Sequence, residues 1–178
     1  MVQCVKRSRV NREPVMDEAN ARGDGFSLRP ARPDDANALT DIFLAAIESS
    51  VPGLPLAHTR DEIIVWFETK QILQAKVTVA DISGNPAAFV ASAEGWVHQL
   101  FVAPEHHRRG LGTALLAPIL AAAEKPVRLW AFQRNAQARA FYERRGFTAD
   151  LFTDGAANEE RTPDVRYVWR PSNSLTRN

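Results

Sequence analysis

An α/β fold on a mixed sheet is predicted by three features of this sequence. Apolar residues repeat every two positions in some segments and every three to four in others. Turn signals join some period-two segments directly, as in hairpins. Helical segments separate others, which calls for parallel pairing across a crossover. In order, "FSLRPA" (26–31) reads as a short strand. "PDDANALTDIFLAAIES" (33–49) reads as a helix: Asp34 or Asp35 can cap it, and Leu39, Ile42, Phe43, Ala46 and Ile47 share one face. "SSVPGLPLA" is a loop, broken by two prolines and a glycine. "TRDEIIVWFETKQIL" (59–73) is a second helix, with Thr59 and Glu62 spaced as a capping box.

"AKVTVADI" and "PAAFVASA" are strands joined by the tight turn "SGN", and "GWVHQLFVA" (95–103) is the next strand. The segment "HHRRGLGTALLAPILAAA" (106–123) then reads as a helix entered through two glycines. "PVRLWAF" (126–132) is a strand. "NAQARAFYERRG" (135–146) is a helix capped by Asn135 and stopped by Gly146. "FTADLFT" and "DVRYVW" close the chain as strands. About seven strands and about four helices on both faces of the sheet follow from this order. We expect a single domain over 25–171, a disordered basic leader over 1–24 and a disordered tail over 172–178.

Composition bounds the partners. With 178 residues the chain can bury one core. Its 22 basic and 21 acidic residues leave a net charge of +1, which gives no general attraction to nucleic acid or an anionic membrane. The lone Cys4 cannot form an internal disulfide and suits a reducing, cytoplasmic setting. No apolar run reaches the ~18 residues of a membrane span, and no signal-peptide core is present. The basic start can be read as a binding arm or a loose leader, and translation can begin at Met1 or Met16. We expect no metal.

The glycines at the mouth of the third helix carry the chemistry. The first turn of a helix leaves N–H groups unpaired and bears partial positive charge, so it binds phosphate. Gly110 and Gly112 lack the Cβ that would hold an anion off the backbone, and Arg108 and Arg109 add charge. A nucleotide P-loop is excluded, because Thr113 and Ala114 stand where Lys and Ser or Thr are required. A dinucleotide fingerprint is disfavoured by Leu115 at its third small position and by the mid-chain location.

The stretch from His107 to Gly112 resembles the Gln/Arg-x-x-Gly-x-Gly/Ala motif of the GNAT superfamily of acyl-CoA N-acyltransferases. Val102-x-Pro104, the strand before it, "Asn135…Ala-Phe-Tyr-Glu-Arg-Arg-Gly-Phe" and the strand order match as well. His107 departs from the motif's usual Gln or Arg, although imidazole can still donate to phosphate. Pro118 inside the helix is a second oddity, expected to kink it or free the Ala114 carbonyl. The resemblance implies that His107, Arg108, Arg109, Gly110, Leu111, Gly112 and Thr113 hold the pyrophosphate of acetyl-CoA. It implies a sheet splayed at the middle, where Leu100, Phe101 and Val102 offer backbone groups to the pantetheine arm. Asn135 would contact the cofactor and Tyr142 would be the general acid.

An amine attacking a thioester must first lose a proton, and the departing thiolate must gain one. A tyrosine hydroxyl can supply the second. Asn135 and Tyr142 lie two helical turns apart, about 10 Å, on one face. Plainer readings are a core aromatic for Tyr142 and an N-cap for Asn135. For the base, Glu94 and His98 are candidates, and His98 resembles a histidine of the arylalkylamine acetyltransferase branch. Strict alternation predicts Trp96, His98, Leu100 and Val102 on one face of the strand, and Val97, Gln99 and Phe101 on the other. By resemblance, the acceptor site draws on the first two helices and the last turn, with Trp66, Asn158 and Glu159 as candidate contacts. Aromatics and carboxylates suit a cationic amine.

Two classes of function stay open. One is an N-acetyltransferase acting on a small-molecule, peptide or protein amine by direct attack in a ternary complex. A toxin-like variant acting on aminoacyl-tRNA would need a basic acceptor cleft, against which the near-neutral charge and acidic last turn count. The other class is an acyl-CoA sensor or scaffold without turnover. An open strand edge is compatible with a monomer or a homodimer.

Overall fold

The computed structural model describes residues 25–172. The leader and most of the tail, with Cys4 and Met16, lie outside the described residues. The elements run β1 (Ser27–Pro30), α1 (Ala36–Ser50), α2 (Arg60–Trp66), α3 (Ile72–Gln74), β2 (Lys76–Ile82), β3 (Asn85–Ala93), β4 (Trp96–Val102), α4 (Leu111–Ala121), β5 (Val127–Phe132), α5 (Ala136–Glu143), β6 (Thr148–Phe152) and β7 (Asp164–Trp169). A π-helical turn, Phe67–Gln71, fuses α2 to α3, so the predicted second helix is one rod with a wide turn inside it. Thr59 caps that rod as expected: its backbone N–H donates to Glu62 Oε2 at 2.8 Å, and Glu62 N–H returns to Thr59 Oγ1 at 3.4 Å. Asp35 stands at the start of α1, but its carboxylate is spent outside the helix. It accepts from the Arg32 N–H at 2.7 Å and from both Arg29 Nη atoms at 2.8 Å.

The seven strands form one sheet in the order β1-β2-β3-β4-β5-β7-β6. All neighbours are antiparallel except β4 and β5. That parallel pair meets at a single register position, Trp96 with Arg128, tied by the Arg128 N–H to the Gly95 carbonyl at 2.8 Å. Beyond it the strands diverge toward their C-terminal ends. The expected splay is therefore a V whose open end faces the loops that lead into α4 and α5.

Each face of the sheet carries its own core. Leu111, Leu115 and Leu116 of α4 and Tyr142 of α5 pack with Val97, Leu129, Val165 and Tyr167 on one face. Leu39, Ile42 and Phe43 of α1, Ile63 of α2 and Phe67 of the π turn pack with Val77, Val79, Phe89 and Ala91 on the other. The alternation predicted for β4 is broken. Gln99 pairs with Ala91 while Val97 pairs with Ser92, so His98 is the extra residue of a β-bulge. The phase slip carries Val97 into the same core as Leu100 and Val102, not the face of Phe101. Among the described residues no helix is long and apolar enough to cross a membrane.

Candidate functional site

α4 begins at Leu111, inside the segment 106–123 read as helical from the sequence. Pro104–His106 form a single 3-10 turn, and the backbone then turns through left-handed conformations at Arg108 (φ 60°) and Gly110 (φ 82°). Gly110 needs its freedom for that φ alone, since nothing lies within 4 Å of where its Cβ would stand. The helical ladder opens with the Ala114 N–H bonded to the Gly110 carbonyl at 3.0 Å. The N–H groups of Leu111, Gly112 and Thr113 precede that first bond and have no intrahelical acceptor. Arg108 and Arg109 are exposed beside them. This is a fit for a diphosphate: a run of free donors, a positive helix end and two exposed cations.

Gly112 has a packing role besides the one expected of it. It is buried, and a Cβ there would sit 3.2 Å from two ring atoms of Phe141 and 3.7 Å from Val102 Cγ2. The missing side chain lets α4 close on α5 and β4. His107 Nε2 lies 3.2 Å from the Val102 carbonyl, so the ring braces the end of β4. Pro118 is accommodated within α4, which continues to Ala121.

Arg145, which sequence reasoning did not single out, joins the two helices. Its guanidinium carbon lies 3.5 Å from the centre of the Phe141 ring, and Nη1 donates to the Phe141 carbonyl at 2.8 Å. Its Nη2 donates to Thr113 Oγ1 in the first turn of α4. A third cation thus belongs to the loop, carried from the turn that ends α5. The signal was present as Phe141 and Arg145 four residues apart across that helix end.

On the edge of β4 that faces the V, Leu100, Phe101 and Val102 pair with β3 on one side only. They line the opening with half-buried side chains. Across the V, β5 ends at Phe132 and Asn135 caps α5, its Oδ1 accepting from the Ala138 N–H at 2.9 Å. Tyr142 follows two turns on, buried against Phe141, Phe147 and Tyr167 at ring separations of 5.2, 5.6 and 6.2 Å. Burial raises its hydroxyl well above the ordinary phenol pKa, so it stays protonated at neutral pH. His98 is half-buried, and burial lowers its pKa, against a smaller upward pull from Glu94. Glu94 itself stands in the β3–β4 turn at φ 50°, exposed.

The candidate acceptor residues gather at one place but not in equal roles. His58, from the α1–α2 loop, lies 3.6 Å from Glu159 and 4.0 Å from Glu62. It bridges that loop to the loop between β6 and β7. Trp66 packs edge-on against Phe67 at 5.2 Å and lines a groove of about 240 Å³ with His58, Glu62 and Ile63. Asn158 is engaged within its own loop: it donates to the Thr162 carbonyl at 2.7 Å and to Asp164 Oδ2 at 3.0 Å, and accepts from the Thr162 N–H at 3.1 Å. It shapes the loop that presents Glu159. A larger hollow of about 480 Å³ lies away from these residues, between the Glu94–Trp96 turn and the C-terminal end of α4.

Comparison with known proteins agrees with this fold. The model of the "Acetyltransferase (GNAT) family" matches residues 40–147. An uncharacterised N-acetyltransferase of Archaeoglobus fulgidus is 35% identical over 135 residues, 66% of this chain and 89% of its own length. The solution structure of apo YjaB from Escherichia coli superposes with a TM-score of 0.68 at 20% identity, covering 83% of this chain and 99% of that one. The structure of YncA from Salmonella typhimurium with its cofactor acetyl-CoA gives 0.62 at 20% identity, over 86% and 98%.

Proposed function

The chain belongs to the GNAT acetyltransferase family, and from that premise we propose that it moves an acetyl group from acetyl-CoA to a primary amine by direct attack in a ternary complex. The observation that carries the reading is the V between β4 and β5, whose open end meets the donor-rich mouth of α4. Acetyl-CoA supplies the acyl group activated as a thioester.

The chain supplies the rest. Backbone N–H groups of Leu111, Gly112 and Thr113, with Arg108 and Arg109, bind the diphosphate. The exposed edge of Leu100, Phe101 and Val102 takes the amides of the pantetheine arm like an added strand, and Asn135 stands at the opposite rim. Tyr142 gives its proton to the departing sulfur. His98 takes the proton of the amine, directly or through water. The acceptor enters from the face of α1 and α2, beneath the loops that His58 and Glu159 join, with Trp66 and Glu159 as its neighbours. That amine is free, or on a peptide or protein.

The test is calorimetric titration with acetyl-CoA, followed by thiol release over an amine panel. Gly112 is a poor probe because its substitution would also disturb Phe141. The exposed pair Arg108→Glu/Arg109→Glu reverses two charges without touching the core. Saturable binding by the native chain, weakened at least about tenfold in the double variant, supports the reading. Equal binding by both would remove the diphosphate from this loop.

A further inference from the structure

The bulge in β4 makes His98 the extra residue directly before Gln99. Val97 and Leu100 both pack in the core beneath α4 and α5, while Gln99 registers with Ala91 of the opposite core, so Gln99 turns to the face of α1 and α2. Two residues beyond, on that face, Phe101 packs edge-on against Phe43 at 5.1 Å and beside Phe89 at 5.8 Å. Gln99 is only 4% exposed, yet no protein group lies within hydrogen-bond distance of its Oε1.

Several other buried polar side chains are paired. Thr40 Oγ1 donates to the Ala36 carbonyl at 2.8 Å, and Asp35 and Asp81 both accept from Arg29. Gln71 Nε2, in the π turn, and Arg145 Nε also lack a protein partner, but both are donors and cannot receive an amine N–H. A carbonyl oxygen left unpaired in a core opposes folding, and native structures keep few of them. Gln99 lies three residues past the point where β4 and β5 part, beside the residue assigned as base.

We propose that Gln99 is a positioning residue for the acceptor amine. Together, Gln99 Oε1 and the neutral His98 ring nitrogen accept the two N–H bonds of a primary amine, which leaves its lone pair turned into the V. This deepens the acetyltransferase reading and rests on it. It gives the proposed choice of a primary amine a structural origin, because a secondary amine has one N–H for two acceptors.

The experiment compares native protein with Gln99→Met, a near-isosteric change without polar atoms. Three quantities are measured: melting temperature, acetyl-CoA affinity, and KM for the fastest amine of the panel beside its N-methyl derivative. The variant is expected to melt higher, since it buries no unpaired carbonyl, and to bind acetyl-CoA as before. Its KM for the primary amine rises about tenfold, one hydrogen bond of about 1.4 kcal/mol. The native preference for the primary over the N-methyl amine shrinks with it. A lower melting temperature would mean that the amide serves the fold, through a resident water or otherwise, and would overturn the assignment. So would an unchanged KM ratio. Failure of the parent reading shows earlier, as absence of acetyl-CoA binding by the native chain, and this assignment would fall with it.

Discussion

Burial acts on Tyr142 and His98 in opposite directions and leaves both neutral. It raises the phenol and lowers the imidazole, because each change disfavours the charged form. A neutral phenol holds a proton to give, and a neutral imidazole has a lone pair to receive one. Tyr142→Phe is expected to lower kcat by on the order of a hundredfold or more while leaving acetyl-CoA affinity unchanged; unchanged turnover would remove the acid role. For His98 the sign follows from the base being the unprotonated form. The kcat is expected to rise with pH and level off below about 6.5, the ordinary imidazole value, with the acid limb lost in His98→Gln. An acid limb that survives in that variant would assign the base elsewhere. The types and spacing of these two residues were legible in the sequence. The environment of Gln99 was not, because no local pattern announces a bulge at His98, next to a β-branched residue, and only the register exposes its unpaired oxygen.

At the scale of elements, the glycine of the loop and the aromatic of the next helix form one joint. A Cβ on Gly112 would press on the Phe141 ring, which Arg145 covers from one side at 3.5 Å, so the ring has little room to yield. Gly112→Ala gains about 1 kcal/mol of helix propensity but incurs overpacking of about 1–3 kcal/mol. A net loss of stability is expected, seen as a lower melting temperature, and Phe141→Leu in the same chain should restore part of it. A melting temperature equal to or above native would show that the ring moves freely. The succession of strands along the chain, the hairpins and the caps at Thr59 and Asn135 could be read in advance because each depends on residues a few positions apart. The π turn and the phase of β4 could not. Both come from long-range packing: Phe67 sits edge-on to Phe89 at 5.5 Å, and Gln99 registers with Ala91.

On the proposed reading, the two substrates are separated by the faces of the sheet. α4 and α5 cover one side and carry the proposed diphosphate and acid sites, while α1, α2 and the His58–Glu159 bridge lie on the proposed acceptor side. The V joins the two through the sheet, so both substrates can be resident at once. The strands that bound it, WVHQLFV in β4 and VRLWAF in β5, carry no serine, threonine or cysteine to take an acyl group between them. Direct transfer therefore predicts a sequential kinetic pattern, with double-reciprocal lines that intersect when both substrates are varied. It also predicts no stoichiometric release of CoA before the amine is added. Parallel lines with an acceptor-independent burst would indicate an acyl-enzyme. That result would make His98 a nucleophile in place of a base, since it is the residue with an available lone pair on the strands of the V.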